Sequence, residues 1–408
     1  MVLMRKGLTT LGYLYGMPSP PPFPTAERIA QFCAQNAGKN VLELRLKKGK
    51  STDFELLINQ FEVREQMSVR FGPLIDRRGY LFPSKSRLSQ ASSCATALWR
   101  GQELAKHLSG GARVWDVTGG SGVDTWGLEE TGFKTLVTEP DPELAAFHVH
   151  NAAVLGSERE VHACASEGFI PSEALDAIYV DPSRLDESGK RVYHPAECFP
   201  NALTELPRWL SLAQDVWIKL SPMVDPDEAL TWFPGTQTLY LLSVGREMKE
   251  VFLHIQAGSC EHPTRIAVDL HTDGSEHYRF AIDPKAAKPS LSAPKTYLYD
   301  ADAAMVAGRA IPSLAADYGL KQLHPESRLL TSDVVHLDFP GRVFQVDAIH
   351  APFKGDWPFG ASVVVRGFPE KAEHIRKRLK LKENAEHYLL ATVWGNERGF
   401  IAARRLGA

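Results

Sequence analysis

Apolar and polar residues follow two different periods along this chain, and the change of period predicts where helices give way to strands. Thr25 can cap a helix over 26–36, and apolar residues continue at helical spacing from Lys39 to Asp76. From about residue 88, short apolar runs of strand length alternate with helical stretches. This alternation is typical of an α/β protein with a mostly parallel sheet and helices on both faces.

The predicted elements of this alternating region follow one another in a regular order. They are a helix at 89–108, a strand at 112–117, a helix at 123–130, a strand at 135–139, a helix at 142–155, strands at 161–165 and 175–180, a helix at 200–213, a strand at 215–220, and hairpin-like strands at 238–244 and 251–255. The hairpin predicts that antiparallel strands complete the sheet.

Smaller domains are predicted on either side of this α/β domain. A linker rich in Pro, Ala, Ser and Lys lies at 283–293 and divides the chain. The predicted boundaries are 1–24 for a flexible proline-rich arm, 25–87 for a helical N-terminal domain, 88–282 for the α/β domain, 294–324 for a small α+β unit and 325–408 for a second α+β domain, which has strands at 343–349, 361–366 and 388–394 and a helix near 369–380.

Composition narrows the function classes further. A chain of 408 residues exceeds one ordinary core, and a net charge of −3 excludes a polyanion binder that works by bulk charge. No apolar run of about 18 residues occurs, so we expect no membrane span. The five cysteines are scattered without zinc-site spacing, which predicts a reduced, cytoplasmic protein without a metal.

A glycine-rich turn follows the first predicted strand and precedes a predicted helix. Its glycines let the backbone approach a ligand, and the helix N-terminus offers free N–H groups. Asp116 can accept from a cationic amine, and Glu139, at the end of the next strand, can accept both hydroxyls of a ribose. The turn lacks the third glycine of GxGxxG, so it favours S-adenosylmethionine over a dinucleotide. The predicted cofactor-binding residues are Asp116, Thr118, Gly119, Gly120, Gly122 and Glu139.

A second polar strand end lies at Asp181-Pro182-Ser183-Arg184. It is similar to the Asn/Asp-Pro-Pro-aromatic turn of methyltransferases that act on nucleic-acid nitrogen atoms. A carboxylate there can hold the hydrogens of an amine while the nitrogen attacks a methyl group. Arg184 replaces the aromatic residue that would stack on a flipped base, and it can grip a phosphate or order the loop instead. We predict that Asp181, Pro182 and Arg184 are catalytic and that Asp181 also contacts the cofactor.

A basic segment and one lysine each allow two interpretations. Seven positive and two negative charges lie between Arg366 and Lys382. The basic face could meet a phosphate backbone, or it could be an ordinary solvated helix face. Under the first interpretation the substrate-binding residues are Arg376, Lys377, Arg378 and Lys380. Lys219 ends a strand beside the predicted cleft, and function and packing explain it equally well.

The chain resembles the bacterial class I S-adenosylmethionine-dependent methyltransferases that carry a ferredoxin-like insert and a C-terminal THUMP-like domain. The passages that carry the resemblance are 88–97, 116–124, 178–184, 218–223, 323–332 and 366–382. The resemblance implies a Rossmann-type methyltransferase core over 88–282, a ferredoxin-like unit over 294–324 and a THUMP-like domain over 325–408. Because THUMP domains are associated with RNA modification, it also implies a structured RNA substrate. Its pattern has an acid near the adenine where this chain has Ala165, so Ser166 or a backbone N–H is expected to make that contact.

The sequence thus predicts a cytoplasmic methyltransferase that uses S-adenosylmethionine to methylate RNA. A nitrogen target is favoured over carbon because the chain lacks the cysteine nucleophile of RNA 5-methylpyrimidine enzymes. Three alternatives remain open: a methyltransferase of a small molecule or protein, a cofactor-binding RNA scaffold without turnover, and a nicotinamide-dependent oxidoreductase, against which the glycine spacing argues. Ser92 and Ser93 lie in a passage that carries the resemblance, but the sequence assigns them no physical role.

Overall fold

The computed structural model describes residues 23–46, 52–184, 190–350 and 360–407, so the predicted proline-rich arm lies almost wholly outside the described residues. The chain divides into two compact units. Of the described residues, the first unit contains those up to 239 together with 250–263 and 270–276, and the second contains 240–249, 264–269 and those from 277 onward.

In the first unit a run of helices comes first, and helices then alternate with strands from Arg113 onward, as the residue pattern predicts. In the described ranges the helices are α1 Ala26–Asn36, α2 Val41–Leu46, α3 Thr52–Gln66, α4 Ser68–Ile75, α5 Lys85–Leu88, α6 Cys94–Leu104, α7 Val123–Glu130, α8 Pro142–Leu155, α9 Ala202–Leu212, α10 Pro226–Trp232, α11 Ala303–Ala307, α12 Ile311–Asp317 and α13 Ala372–Arg378. None of these helices has the length and the apolar composition that crossing a bilayer requires.

Within the part of the chain that the structure describes, the strands form two sheets. They are β1 Arg113–Asp116, β2 Lys134–Thr138, β3 Glu160–His162, β4 Ala177–Val180, β5 Asp215–Leu220, β6 Thr236–Val244, β7 Glu247–Ile255, β8 Thr264–Leu270, β9 Glu276–Ile282, β10 Tyr297–Ala301, β11 Lys321–Gln322, β12 Leu330–Ser332, β13 Gly341–His350, β14 Ser362–Arg366, β15 His387–Trp394 and β16 Glu397–Leu406. Their orders are β3-β2-β1-β4-β5-β7-β6-β8-β9 and β11-β12-β10-β13-β16-β15-β14.

The first sheet confirms the predicted α/β class. Strands β3-β2-β1-β4-β5 are parallel, and β7 pairs antiparallel with β5. The chain runs from β1 outward to β3 and then returns to the other side of β1 with β4. At this change of direction the carboxyl ends of β1 and β4 open a crevice, the usual ligand site of such sheets. Asp116 lies level with Val137 on β2 and with Tyr179 on β4.

Local capping residues explain why several helix limits could be predicted. Helix α8 begins after Asp141, whose Oδ1 accepts a hydrogen bond from the Glu143 N–H at 2.9 Å, and ends before Gly156 in the left-handed region. The predicted helix at 89–108 is too long. Helix α6 begins only after Ser93, whose Oγ accepts from the Thr96 N–H at 3.2 Å.

The second sheet contains strands that the sequence pattern did not predict. Strand β16 reads Glu-Arg-Gly-Phe-Ile-Ala-Ala-Arg-Arg-Leu, a composition with low intrinsic strand preference. It is a central strand all the same, because it pairs antiparallel with both β13 and β15. Pairing partners therefore determine this strand, in agreement with the general dependence of strands on their context.

Candidate active site

A cavity of about 510 Å³ lies in the first unit at the carboxyl ends of β1, β2 and β4. This volume falls in the range of roughly 300–1,000 Å³ that small-molecule sites occupy. Its lining residues are 117–121 and Asp124 from the glycine-rich turn, Glu139, Pro140 and Leu144 after β2, Ser86, Arg87, Gln90 and Ala91 around the end of α5, Ser166, the segment 181–184, and Phe199 with Pro200. The two predicted strand ends therefore open onto one cavity.

Glu139 faces the glycine-rich turn. Its Oε2 accepts a hydrogen bond from the Gly120 N–H at 2.6 Å, and its Oε1 accepts from the Asp141 N–H at 2.8 Å. Burial raises the pKa of Glu139, while these two backbone donors act against that increase. Each carboxylate oxygen keeps a second lone pair, so the fixed carboxylate can still accept from ribose hydroxyls.

Asp116 lies beneath the cavity instead of lining it. Its Oδ2 accepts from the Thr125 hydroxyl at 2.6 Å, and its Oδ1 accepts from the Thr118 N–H at 3.0 Å. Burial raises the pKa of the fully buried Asp116 to about 7. In this structure, then, Asp116 holds the start of the glycine-rich turn and the first turn of helix α7 together. The predicted contact with a cofactor amine does not follow from this placement.

A buried histidine supports the turn from below. Gly122 precedes helix α7 with a φ of +80°, a conformation that favours glycine, and it lies over the His148 ring. The Arg159 guanidinium donates to His148 Nδ1 at 3.0 Å, which places the ring proton on Nε2, the nitrogen beside Gly119. Burial, together with Arg159, lowers the pKa of His148 to about 3, so the ring is neutral under the turn.

Thr118 connects the glycine-rich turn to the loop that contains Asp181. Its Oγ1 accepts from the Asp181 N–H at 2.8 Å and lies 3.4 Å from Asp116 Oδ1, to which it can donate. One hydroxyl thus fixes the distance between the two predicted halves of the site. This hydroxyl makes only short-range contacts, but it aligns strand ends that lie 63 residues apart in the chain.

Lys219 forms an ion pair with Asp181. The two charged atoms lie 2.6 Å apart, and Lys219 Nζ also donates to Ser92 Oγ at 2.9 Å. Ser92 in turn donates to Asp124 Oδ2 at 3.1 Å and accepts from Arg100 at 2.7 Å. Lys219 therefore holds the Asp181 carboxylate in place. Ser92 links Lys219 to Asp124 and Arg100, a role that the sequence did not assign to it.

The network ends in a buried ion pair behind the cavity. Arg100 donates to both oxygens of Glu250 at 2.5 and 2.6 Å, contacts Asp124, and lies 5.8 Å from the centre of the Tyr179 ring. Burial acts to raise the pKa of Asp124, but the charges of Arg100 and Lys219 outweigh burial and lower it. Asp124 therefore remains a carboxylate among cations, as burial of a charge requires.

Arg184 and Phe199 define the outer part of the cavity. The half-buried Arg184 guanidinium donates one long hydrogen bond, of 3.4 Å, to Ser221 Oγ. This weak contact leaves the guanidinium able to bind another group. Phe199 comes from a segment that pairs with Ser183 through an isolated antiparallel bridge. The sequence did not single out Phe199, because its neighbours carry no motif and the bridge brings it to the loop from 16 residues away.

Ser166 lines the same cavity at the end of the segment after β3. Its side chain is buried and its hydroxyl donates to Glu167 Oε2 at 3.3 Å, while its carbonyl accepts from Arg208 at 2.8 Å. The predicted adenine-contact residue is thus brought to the cavity together with Glu139.

The predicted basic segment lies in the second unit, and much of its charge is paired. Arg376 contacts Glu383, Lys377 Nζ lies 2.8 Å from Glu373, and Arg378 lies 2.7 Å from Glu370. The ion pairs of this segment among the described residues do not include Lys380. Exposed pairs of this kind contribute little and exchange readily with other anions, so their presence leaves phosphate binding open.

Arg366, at the start of the basic segment, has a structural role. Its Nε lies 2.7 Å from the buried Asp300 Oδ1, and Arg342 lies on Oδ2 of the same carboxylate. Burial acts to raise the pKa of Asp300, but the charges of Arg366 and Arg342 outweigh burial and lower it. Arg366 therefore stabilises the second sheet by neutralising the buried Asp300 carboxylate.

A small cluster in the second unit was not predicted. Ligand atoms of Asp269, His277 and Asp302 lie within 4.8 Å of one another, as a metal site requires. Arg246 Nε lies 2.9 Å from Asp302 Oδ1, however, so a guanidinium already supplies positive charge there. We interpret this cluster as a charge network of the fold.

Comparison with known proteins gives the same fold. Residues 297–340 match the family model of a ferredoxin-like domain. Over 95% of its length, the chain superposes on the whole of a Porphyromonas gingivalis W83 protein that is provisionally described as a methyltransferase, with a TM-score of 0.78 and 22% identity. Uncharacterized S-adenosylmethionine-dependent methyltransferases from two Mycobacterium tuberculosis strains are 24% identical over 336 residues, which cover 80% of this chain and 89% of each relative.

Proposed function

We propose that this protein is an S-adenosylmethionine-dependent methyltransferase that methylates a nitrogen atom of a base in RNA. One observation carries the proposal: Glu139, bonded to Gly120, and Asp181, bonded to Lys219, line the same cavity. The Glu139 carboxylate can accept hydrogen bonds from the ribose of an adenosyl group, and the Asp181 carboxylate can accept hydrogen bonds from an amine. The names of the Mycobacterium relatives support the choice of cofactor.

The cavity fits an adenosyl cofactor on its own evidence. A Cβ on Gly119 would lie 2.6 Å from Val137 Cγ1, so only glycine lets the backbone follow this path. Glu139 is buried at the position where ribose hydroxyls would meet a carboxylate, and Ser166 lies on the same side. Glu139, Gly119, Gly120 and Ser166 would therefore hold the nucleoside.

The residues around Asp181 would orient the methyl acceptor. S-adenosylmethionine supplies an activated methyl group on a sulfonium when it is bound. Asp181 can accept hydrogen bonds from the attacking amine, and Lys219 and Thr118 fix the carboxylate and the backbone of that loop. Most of the rate enhancement in this scheme comes from the alignment of donor and acceptor.

RNA is the substrate that we infer for this site. In the Asp-Pro-Ser-Arg loop, the Asp181 carboxylate can accept hydrogen bonds from a base amine, and the nearby Arg184 guanidinium can bind a phosphate. A nucleotide offers both of these groups. Lys380 and its basic neighbours offer further phosphate contacts in the second unit, over the residues for which we propose a THUMP-like domain. A cytoplasmic location would agree with this substrate.

Asp181→Ala should reduce methyl transfer at least about 100-fold, because the acceptor amine loses its alignment. The measurement is transfer of a labelled methyl group from S-adenosylmethionine into total RNA. Affinity for S-adenosylhomocysteine should change by less than about 3-fold, since Lys219 keeps Asp124 at 4.0 Å as a partner and the glycine-rich turn is untouched.

Two further variants sharpen this result. Asp181→Asn keeps a carbonyl acceptor and should retain more activity than Asp181→Ala. Glu158→Ala, at an exposed carboxylate outside the cavity, should transfer methyl groups as the wild type does. Full activity in Asp181→Ala would show that this loop does not hold the acceptor.

A further inference from the structure

Phe199 presents an aromatic ring at the cavity. Its side chain is 51% exposed, although it is a large apolar residue, and it lines the cavity together with Asp181, Pro182 and Arg184. The ring is therefore accessible to a ligand that enters the cavity.

The backbone beneath the ring is fixed to the loop of Asp181. The Ser183 N–H donates to the Phe199 carbonyl at 2.7 Å, and the Phe199 N–H donates to the Ser183 carbonyl at 3.1 Å. Ser183 is two residues from Asp181, whose own N–H is bonded to Thr118. The ring and the carboxylate therefore belong to one hydrogen-bonded frame, and they keep their separation.

These groups together have the chemistry of a nucleotide site. An exposed aromatic ring offers a stacking face to a flat base, and every base has such a face. The neighbouring carboxylate can accept from an exocyclic amine, and the guanidinium of Arg184 can pair with a phosphate. An aliphatic amine of a protein side chain would use the carboxylate but would gain less from the ring, because a cation–π contact at an exposed ring is weaker than base stacking.

We propose that Phe199 is the stacking platform for the base that receives the methyl group. It would supply from the adjoining segment the aromatic face that the Asp-Pro-Ser-Arg loop lacks, since Arg184 stands in the aromatic position. This inference rests on the proposed function and makes it more specific. The target base must leave its own stack to reach the ring, so it lies in an unpaired stretch of RNA or is flipped out of a helix.

Kinetics of Phe199 variants test this proposal in the full chain. Phe199→Ala should lower kcat/KM for methyl transfer into total RNA roughly 5- to 150-fold, the range expected for loss of one base–aromatic stack. Phe199→Trp keeps a stacking face and should stay within about 3-fold of the wild type. Ile170→Ala removes a side chain that is 80% exposed and outside the cavity, so it should have no effect.

The affinity for S-adenosylhomocysteine separates a platform from a merely structural residue. It should be unchanged in all three variants, and equal loss of cofactor affinity and of transfer in both Phe199→Ala and Phe199→Trp would overturn the platform. Labelling of a whole-cell extract by the wild type and by Phe199→Ala, followed by nuclease or protease digestion of the products, separates the two proposals. Label in RNA with an unaffected Phe199→Ala would overturn the platform alone, whereas wild-type label found only in protein would overturn both the RNA substrate and the base-stacking role.

Discussion

Gly119→Ala should abolish binding of S-adenosylmethionine. The added Cβ would lie 2.6 Å from Val137 Cγ1, 2.9 Å from His148 Nε2 and 3.3 Å from Glu139 Cβ. Val137 and His148 are buried, and Arg159 is hydrogen-bonded to the histidine, so moving either side chain would disrupt the packing around it. The turn must shift instead, which would break the Gly120–Glu139 hydrogen bond that shapes the nucleoside site. We expect a stability loss of about 1–3 kcal/mol, typical of overpacking.

Gly110→Ala is the matched control for this substitution. No atom lies within 4 Å of a Cβ at Gly110, and its φ is outside the left-handed region, so stability should change by less than about 0.5 kcal/mol. Calorimetric titration with S-adenosylhomocysteine and urea unfolding of both variants give the comparison. Wild-type affinity in Gly119→Ala would mean that the turn does not enclose the cofactor.

Arg100→Met should be the most destabilising substitution at the ion network. Arg100 is almost fully buried, as is Glu250, and removal of the guanidinium leaves Glu250 and Asp124 without their main counter-charge. Removing one partner of a buried ion pair typically costs about 3–5 kcal/mol. Because Asp124 and Ser92 position Lys219, we also expect weaker methyl transfer. Urea unfolding and labelled transfer measure the two effects.

A second variant distinguishes lost charge compensation from lost packing. Arg100→Met with Glu250→Gln removes the uncompensated buried charge and should recover part of the stability. Arg78→Met breaks an exposed pair with Glu27 and should change stability by less than about 0.5 kcal/mol. An unchanged free energy of unfolding in Arg100→Met would exclude a structural role for the network.

The strand ends could be predicted because local rules determine them. The glycine-rich turn, Glu139 and Asp181 each follow a buried apolar run, and the carboxyl ends of neighbouring parallel strands meet at one edge. The structure brings Glu139, Gly120, Ser166 and Asp181 to one cavity on this basis. Asp116 shows the limit of the rule, since its position was predicted but the two threonines that bind its oxygens were not.

The remaining parts of the site depend on contacts between distant residues. Arg100 and Glu250 lie 150 residues apart, and Lys219 and Ser92 lie 127 apart, so no spacing in the sequence pairs them. Phe199 reaches the cavity through two backbone hydrogen bonds, which depend on no side-chain type. A segment such as Cys198-Phe199-Pro200 therefore carries no readable motif, although it supplies the aromatic face of the site.

Direct measurement of ligand binding tests the central claim, that the cavity at these strand ends holds an adenosyl sulfonium cofactor. Thermal unfolding of the full chain is measured with S-adenosylmethionine, S-adenosylhomocysteine and NAD in parallel. Either adenosyl ligand, at about 100 times its dissociation constant, should add roughly 2.7 kcal/mol of stability, and Gly119→Ala should lose this gain. NAD should add nothing. Stabilisation by NAD with no response to either adenosyl ligand would contradict the account.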